Sequence, residues 1–61
     1  MYEKYVELRD AKKVRDADVA RVTGITPSTF SDWKRGKSVP KLEKLLKIAE
    51  FFDVSVEVFA R

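Results

Sequence analysis

Four polar side chains, Ser28, Ser31, Asp32 and Arg35, fall at spacings of three, one and three residues. At 100° per residue they lie within about 50° of one pole of a helix, with Phe30 and Trp33 on the opposite face. Two hydroxyls, a carboxylate and a guanidinium form a strip of hydrogen-bond donors and acceptors, joined at its edge by Thr26. That is chemistry for recognising a polar surface. It is not nucleophilic chemistry. The chain contains neither cysteine nor histidine, which removes thiolate and imidazole nucleophile-base pairs, their metal ligation and disulfide stapling. Carboxylates such as Glu3 and Glu7 fall on a solvated helix face with nothing to exclude water. No catalytic residue, metal, cofactor or small-molecule substrate is expected, and the chain reads as a non-enzyme.

The recognition strip needs a helix beneath it, and the local sequence supplies one. Thr26 can cap it with its hydroxyl, Pro27 suits the first helical position, and Gly36 can take the left-handed stop. The spacing therefore predicts a helix over 27–35, with Phe30 and Trp33 turned inward as its anchor.

The flanking elements are set by apolar periodicity. A first helix over 2–13 groups Met1, Tyr2, Tyr5 and Leu8 on one face, with Val6 at its edge; Arg9 intrudes on the apolar side and needs a partner. A second, over 16–23, places Val19, Ala20, Val22 and Thr23 on a shared face, and Asp16 and Asp18 suit its positive end. Gly24 allows a tight turn into the 27–35 helix, so the two short helices form a helix-turn-helix unit. A fourth, over 42–52, has a stripe of Leu42, Leu45, Leu46, Ala49 and Phe52 flanked by Ile48, while Phe51 projects to the far side. Ser55 can cap a final turn or two over 56–60, in which Val54, Val56 and Phe59 fold back on the core and Val58 points away. The fold class is all-α, a compact arrangement of five helices in one domain, residues 1–61.

At 61 residues such a domain buries roughly 60% of its unfolded surface, so every apolar side chain counts toward a marginal stability. There is no run of 18 apolar residues and no basic-then-apolar leader, and the expected location is cytoplasmic. The net charge is +3, but residues 34–47 carry six cations (Lys34, Arg35, Lys37, Lys41, Lys44 and Lys47) against Glu43 alone. The positive field lies over the end of the recognition helix and the segment C-terminal to it.

These residues resemble the phage repressor and Cro family of helix-turn-helix DNA-binding domains, particularly repressors of phages from low-GC Gram-positive bacteria. The resemblance spans nearly the whole chain, with Ala20, Gly24, Ile25, Thr29, Phe30, Ser31, Trp33, Gly36, Lys37, Pro40, Leu45, Ile48, Ala49, Val54 and Ser55 at family-typical places. It implies a five-helix, lambda-repressor-like domain in which the 27–35 helix enters the major groove of double-stranded DNA and the next loop touches phosphates. Phosphate contacts would fall to Lys37, Lys41, Ser38 and Lys34 or Arg15, with backbone amides at the starts of the second and third helices. Base reading would fall to Ser28, Ser31, Asp32 and Arg35, with Thr26 at the edge. Asp32 can accept from a cytosine amino group, and Arg35 can reach guanine or a phosphate. Asp32 can equally form an ion pair with a neighbouring cation or help Arg9.

Three departures from the family pattern carry consequences. Asp16 stands where members often have a Gln that touches a phosphate, which an aspartate would repel. Lys34 stands where many have a Glu that pairs with an Arg at the place of Arg9, so that pair cannot form. Asp53 replaces a Gly after the fourth helix, which requires a different cap or an aspartate in the left-handed region. In this family the last helix commonly makes the dimer contact, and Phe51 and Val58 are the apolar candidates for a self-complementary patch. The expected assembly is a weak homodimer on a palindromic operator with half-sites about one DNA turn apart. The alternative is an antitoxin-like or adaptor module that keeps the fold for protein interaction; Asp16, Asp32 and the modest net charge favour it.

Overall fold

The computed structural model describes residues 1–59. Four α-helices succeed one another: α1 (Tyr2–Lys12), α2 (Asp16–Thr23), α3 (Pro27–Lys34) and α4 (Leu42–Phe51). A 3-10 turn, Val56–Phe59, takes the place of the expected fifth helix, so the described residues are all-helical, with four helices and one tighter turn. Ala60, the end of the expected fifth helix, lies outside the described residues. Among the described residues, no helix is long and apolar enough to cross a membrane.

The core is built around Tyr5, whose ring is fully buried. Its centroid lies 5.2 Å from Phe30, 5.3 Å from Trp33, 5.8 Å from Tyr2 and 6.2 Å from Phe52. Five aromatic side chains thus join α1, α3 and the end of α4, and such pairs add specific geometry to their buried area. Val19, Ile25, Leu45, Ile48, Ala49 and Phe59 complete the core. Helix α2 packs on α3 and α4, and the 3-10 turn packs on α1 and α4, which closes the layer over Phe59.

Among the described residues, helix ends are set by four left-handed residues, Gly24 closing α2 and three others closing α1, α3 and α4. Gly36 (φ +74°) comes after α3; its N–H reaches Trp33 C=O at 3.1 Å and Lys37 N–H reaches Asp32 C=O at 2.8 Å, the paired bonds of a Schellman motif. Asp53 (φ +56°) does the same after α4, with its N–H on Glu50 C=O at 3.1 Å and Val54 N–H on Ala49 C=O at 2.9 Å. The missing glycine is therefore replaced by an aspartate in the left-handed region. Lys13 (φ +58°) ends α1 in the same conformation, a stop that no glycine announces. Ser55 caps the final turn by accepting Glu57 N–H at 3.2 Å.

Several faces differ from the expected ones. Val22 is 60% exposed, because at 100° steps it lies roughly 80° from the midpoint of the buried pair Val19 and Thr23. Leu42 and Leu46 are 65% and 48% exposed, and Ile48, placed at the flank, lies fully inside. The five apolar positions of this stripe on α4, with Phe52 at its end, span about 160° of the circumference, more than the neighbouring elements can cover. Phe51 is half-buried instead of projecting away: its ring meets Phe52 edge-on at 5.0 Å, and Lys12 Nζ stands 5.4 Å from its centroid. Val58 is likewise half-buried against the core, carried there by the 3-10 turn.

Candidate nucleic-acid interface

The turn between α2 and α3 is held by buried polar chemistry. Thr23 is the one polar residue in the core among the described residues: its hydroxyl donates to Val19 C=O at 2.7 Å and accepts Ile25 N–H at 3.4 Å. Gly24, at φ +77°, bonds back to Ala20 C=O at 2.9 Å, and Ile25 drops into the core. Thr26 then starts α3, its Oγ1 accepting Thr29 N–H at 3.4 Å and lying 2.9 Å from Thr29 Oγ1 and 3.1 Å from Ser28 Oγ. The first turn of α3 is thereby fixed as a hydroxyl cluster, with Pro27 at its first position.

Helix α3 divides as its periodicity requires. Phe30 and Trp33 are each only 3% exposed, whereas Ser28, Ser31 and Arg35 are exposed and Asp32 is partly so. Thr26 is also exposed, but its oxygen is engaged in the cap. Asp32 pairs with Arg35 at 3.3 Å, so its partner is the cation one turn on.

The cations flank this strip. Lys34, Lys37, Ser38 and Lys41 are exposed. Among the described residues no carboxylate lies within ion-pair distance of Lys34, Lys37 or Lys41. The Schellman bonds tie Lys37 to the end of α3. A shallow groove runs from Gly24 and Thr29 past Ser38 and Val39 to Lys41 and Lys44. Arg15, at the start of α2, is exposed and leans toward Asp18 at 4.0 Å, and its N–H donates to Asp18 Oδ2 at 3.0 Å.

Asp16 has a role that its spacing did not reveal. Its Oδ1 accepts the Tyr5 hydroxyl at 2.6 Å and Arg9 Nη1 at 3.1 Å, while Arg9 Nη2 reaches Asp10 at 3.1 Å. Arg9 therefore finds a partner on α2 as well as Asp10 on its own helix. Burial, then the Asp16 hydrogen bond, push the Tyr5 phenol far above its ordinary value, and the Asp16 hydrogen bond holds Arg9 firmly charged. Asp16 and Lys34 border one small depression with Tyr2, Pro27, Phe30 and Ser31. Two carboxylates, Asp16 and Asp18, thus occupy the start of α2, and the cationic side of the surface runs from Lys34 through the loop to Lys41.

Phe51 and Val58, both packed on the core, border different depressions. Phe51 borders a depression with Val22, Lys47 and Glu50, and Val58 another with Lys4, Ser55 and Glu57.

Comparison with known proteins agrees with this geometry. A helix-turn-helix family profile matches residues 7–59. The chain is similar to an uncharacterised HTH-type transcriptional regulator of Haemophilus influenzae, 43% identical over 72% of this chain and 18% of that protein. It is also similar to the HTH-type transcriptional activator BcrR of Enterococcus faecalis, 31% identical over 90% of this chain and 27% of that protein. The chain thus spans about a fifth to a quarter of the length of these relatives. No solved structure matches it significantly. With the family profile covering both helices of the turn, α4 and the 3-10 turn, the chain belongs to the Cro/C1-type helix-turn-helix family of DNA-binding domains.

Proposed function

We propose that the chain binds double-stranded DNA sequence-specifically and acts as the DNA-binding part of a transcription regulator, with α3 lying in the major groove. One observation carries the reading: α3 sinks Phe30 and Trp33 into the core and leaves Ser28, Ser31, Asp32 and Arg35 on the free side, beside Lys34, Lys37 and Lys41, which have no ion-pair partner among the described residues. Lysines outside the strip hold phosphates and fix register, and short serines allow a close approach to base edges. Arg15 and Ser38 join the phosphate contacts, and Thr26 positions the first turn of α3.

In this reading the regulator is a phage-type repressor working in the cytoplasm as a weak homodimer on a palindromic operator. The partly exposed edges of Phe51 and Val58 contribute to the contact between copies. Selection of bound duplexes from a random pool tests the whole reading at once. The expected product is a pair of inverted half-sites about one DNA turn apart. A pool that stays random, with no footprint at low ionic strength, contradicts it.

A second reading is a protein-interaction module of the antitoxin or adaptor kind. The exposed Leu42 and Leu46, one turn apart on α4, favour it, as apolar neighbours on a surface are common at protein contacts. Retained partner capture by a protein that binds no duplex would support that alternative.

A further inference from the structure

Asp32, on α3, and Arg35, which caps its C-terminal end, stand three residues apart with their heads 3.3 Å apart, and their side chains are 41% and 61% exposed. Neither has another ion-pair partner among the described residues. The backbone beneath them is fixed: Asp32 C=O accepts Lys37 N–H at 2.8 Å, and Arg35 N–H reaches Ser31 C=O at 3.1 Å. An exposed pair at this spacing contributes little to stability, so folding does not account for a carboxylate on the face offered outward. Alone, that carboxylate would be repelled by a phosphate-lined groove. Paired with Arg35 it is neutralised, and its second oxygen stays free.

The pair presents a specific pattern. The guanidinium has spare N–H donors arranged as a fork, and beside them the carboxylate offers an acceptor. The order is donor, donor, acceptor. In the major groove a G·C pair presents guanine N7 and O6 as acceptors and the cytosine amino group as a donor, which is the complement of that order. An A·T pair presents an acceptor, a donor and then thymine O4, another acceptor, which would face the carboxylate. We infer that Asp32 and Arg35 act as one unit that reads a single G·C base pair. The inference rests on α3 entering the major groove as proposed above, and it adds that the two residues specify together and neither does so alone.

The test uses the duplex recovered by selection and its single-position variants. The proteins are wild type, Asp32→Ala, Asp32→Asn, Arg35→Ala and the double alanine variant, each with helix content checked by circular dichroism. For wild type, replacing one G·C pair by A·T weakens binding about 5- to 150-fold, and 7-deazaguanine at that guanine, which lacks the N7 acceptor, also weakens it. The three alanine variants lose this preference to the same extent, the double variant being no worse at that position than either single one, whereas Asp32→Asn, whose amide oxygen still accepts, loses less of it. Preference that survives in Arg35→Ala or in Asp32→Ala overturns the inference. So does an Arg35→Ala variant that weakens every duplex equally with a smaller salt slope, the mark of a phosphate contact. Either result leaves DNA binding standing, whereas a wild-type protein that binds no duplex removes both the inference and the reading it rests on.

Discussion

The Tyr5 hydroxyl donates to Asp16 Oδ1 at 2.6 Å, joining the centre of the aromatic core on α1 to the first residue of α2. Arg9 Nη1 shares the same oxygen at 3.1 Å. One carboxylate therefore adds a polar tie between α1 and α2 to the aromatic packing of Tyr5 on α3.

Asp16→Ala should leave the Tyr5 hydroxyl and the Arg9 guanidinium without their shared acceptor, at a cost of about 1–3 kcal/mol. In a domain of this size that lowers the melting temperature by about 4–8 °C per kcal/mol. Asp16→Gln keeps an acceptor for Tyr5 and should cost less than the alanine change. Thermal and urea unfolding of the two variants checks the order.

Alkaline stability depends on the same contact. The Tyr5 phenol is raised by burial and then by the Asp16 hydrogen bond, so the folded chain keeps a proton that the unfolded chain releases at the ordinary tyrosine value of about 10. Between that pH and the raised value the folded state binds more protons, and stability falls as pH rises. The contribution is complete below pH about 10. Tyr5→Phe should flatten this part of the stability-versus-pH curve, as measured by urea unfolding over a basic pH series; an unchanged slope contradicts the assignment.

Trp33 packs on Tyr5 at 5.3 Å, Tyr2 at 5.4 Å and Phe59 at 6.3 Å. Trp33→Ala should cost about 3–5 kcal/mol, comparable with the whole stability expected of so small a domain. Loss of the helical circular-dichroism signal at 25 °C is the expected outcome.

Three of the left-handed helix stops, Lys13, Asp53 and Gly36, respond in opposite directions. Lys13→Gly relieves a strain of about 1–2 kcal/mol against an entropic cost of about 0.4–1 kcal/mol, and should raise the unfolding midpoint. Asp53→Gly should do so by less, since aspartate tolerates this conformation better. Gly36→Ala should lower it: a Cβ there meets no atom within 4 Å, so the penalty comes from φ +74° alone.

Much of this architecture is legible in the sequence because it rests on local signals. Thr26, Pro27 and Gly36 mark the bounds of α3, and the 100° step sends Phe30 and Trp33 inward. The helix bounds agree to within a residue or so, since caps and periodicity act over a few positions. What the sequence hides is tertiary. Six apolar residues on α4 cannot say which edge stays outside, and only the packing of α2 and the 3-10 turn leaves Leu42 and Leu46 exposed. Phe51 looks homeless on a helical projection, yet its long side chain reaches Phe52 and the end of α1. Of the outward strip, the exposure of Ser28, Ser31 and Arg35 is readable from spacing, whereas the Asp32–Arg35 pairing is one of several that spacing allows. Asp16 is the residue most misjudged by position alone. Its neighbour on α1 is eleven residues away, and no local pattern announces a Tyr–Asp–Arg junction.

The orientation of α3 bears most directly on DNA, and the anisotropy of a labelled operator duplex across a salt series measures its consequence. With about four phosphates neutralised per subunit of a dimer, log K should fall against log salt with a slope near roughly −7, and Lys37→Ala should reduce that slope by about one per subunit. Binding at micromolar protein that is absent, or that does not change with salt, contradicts the account.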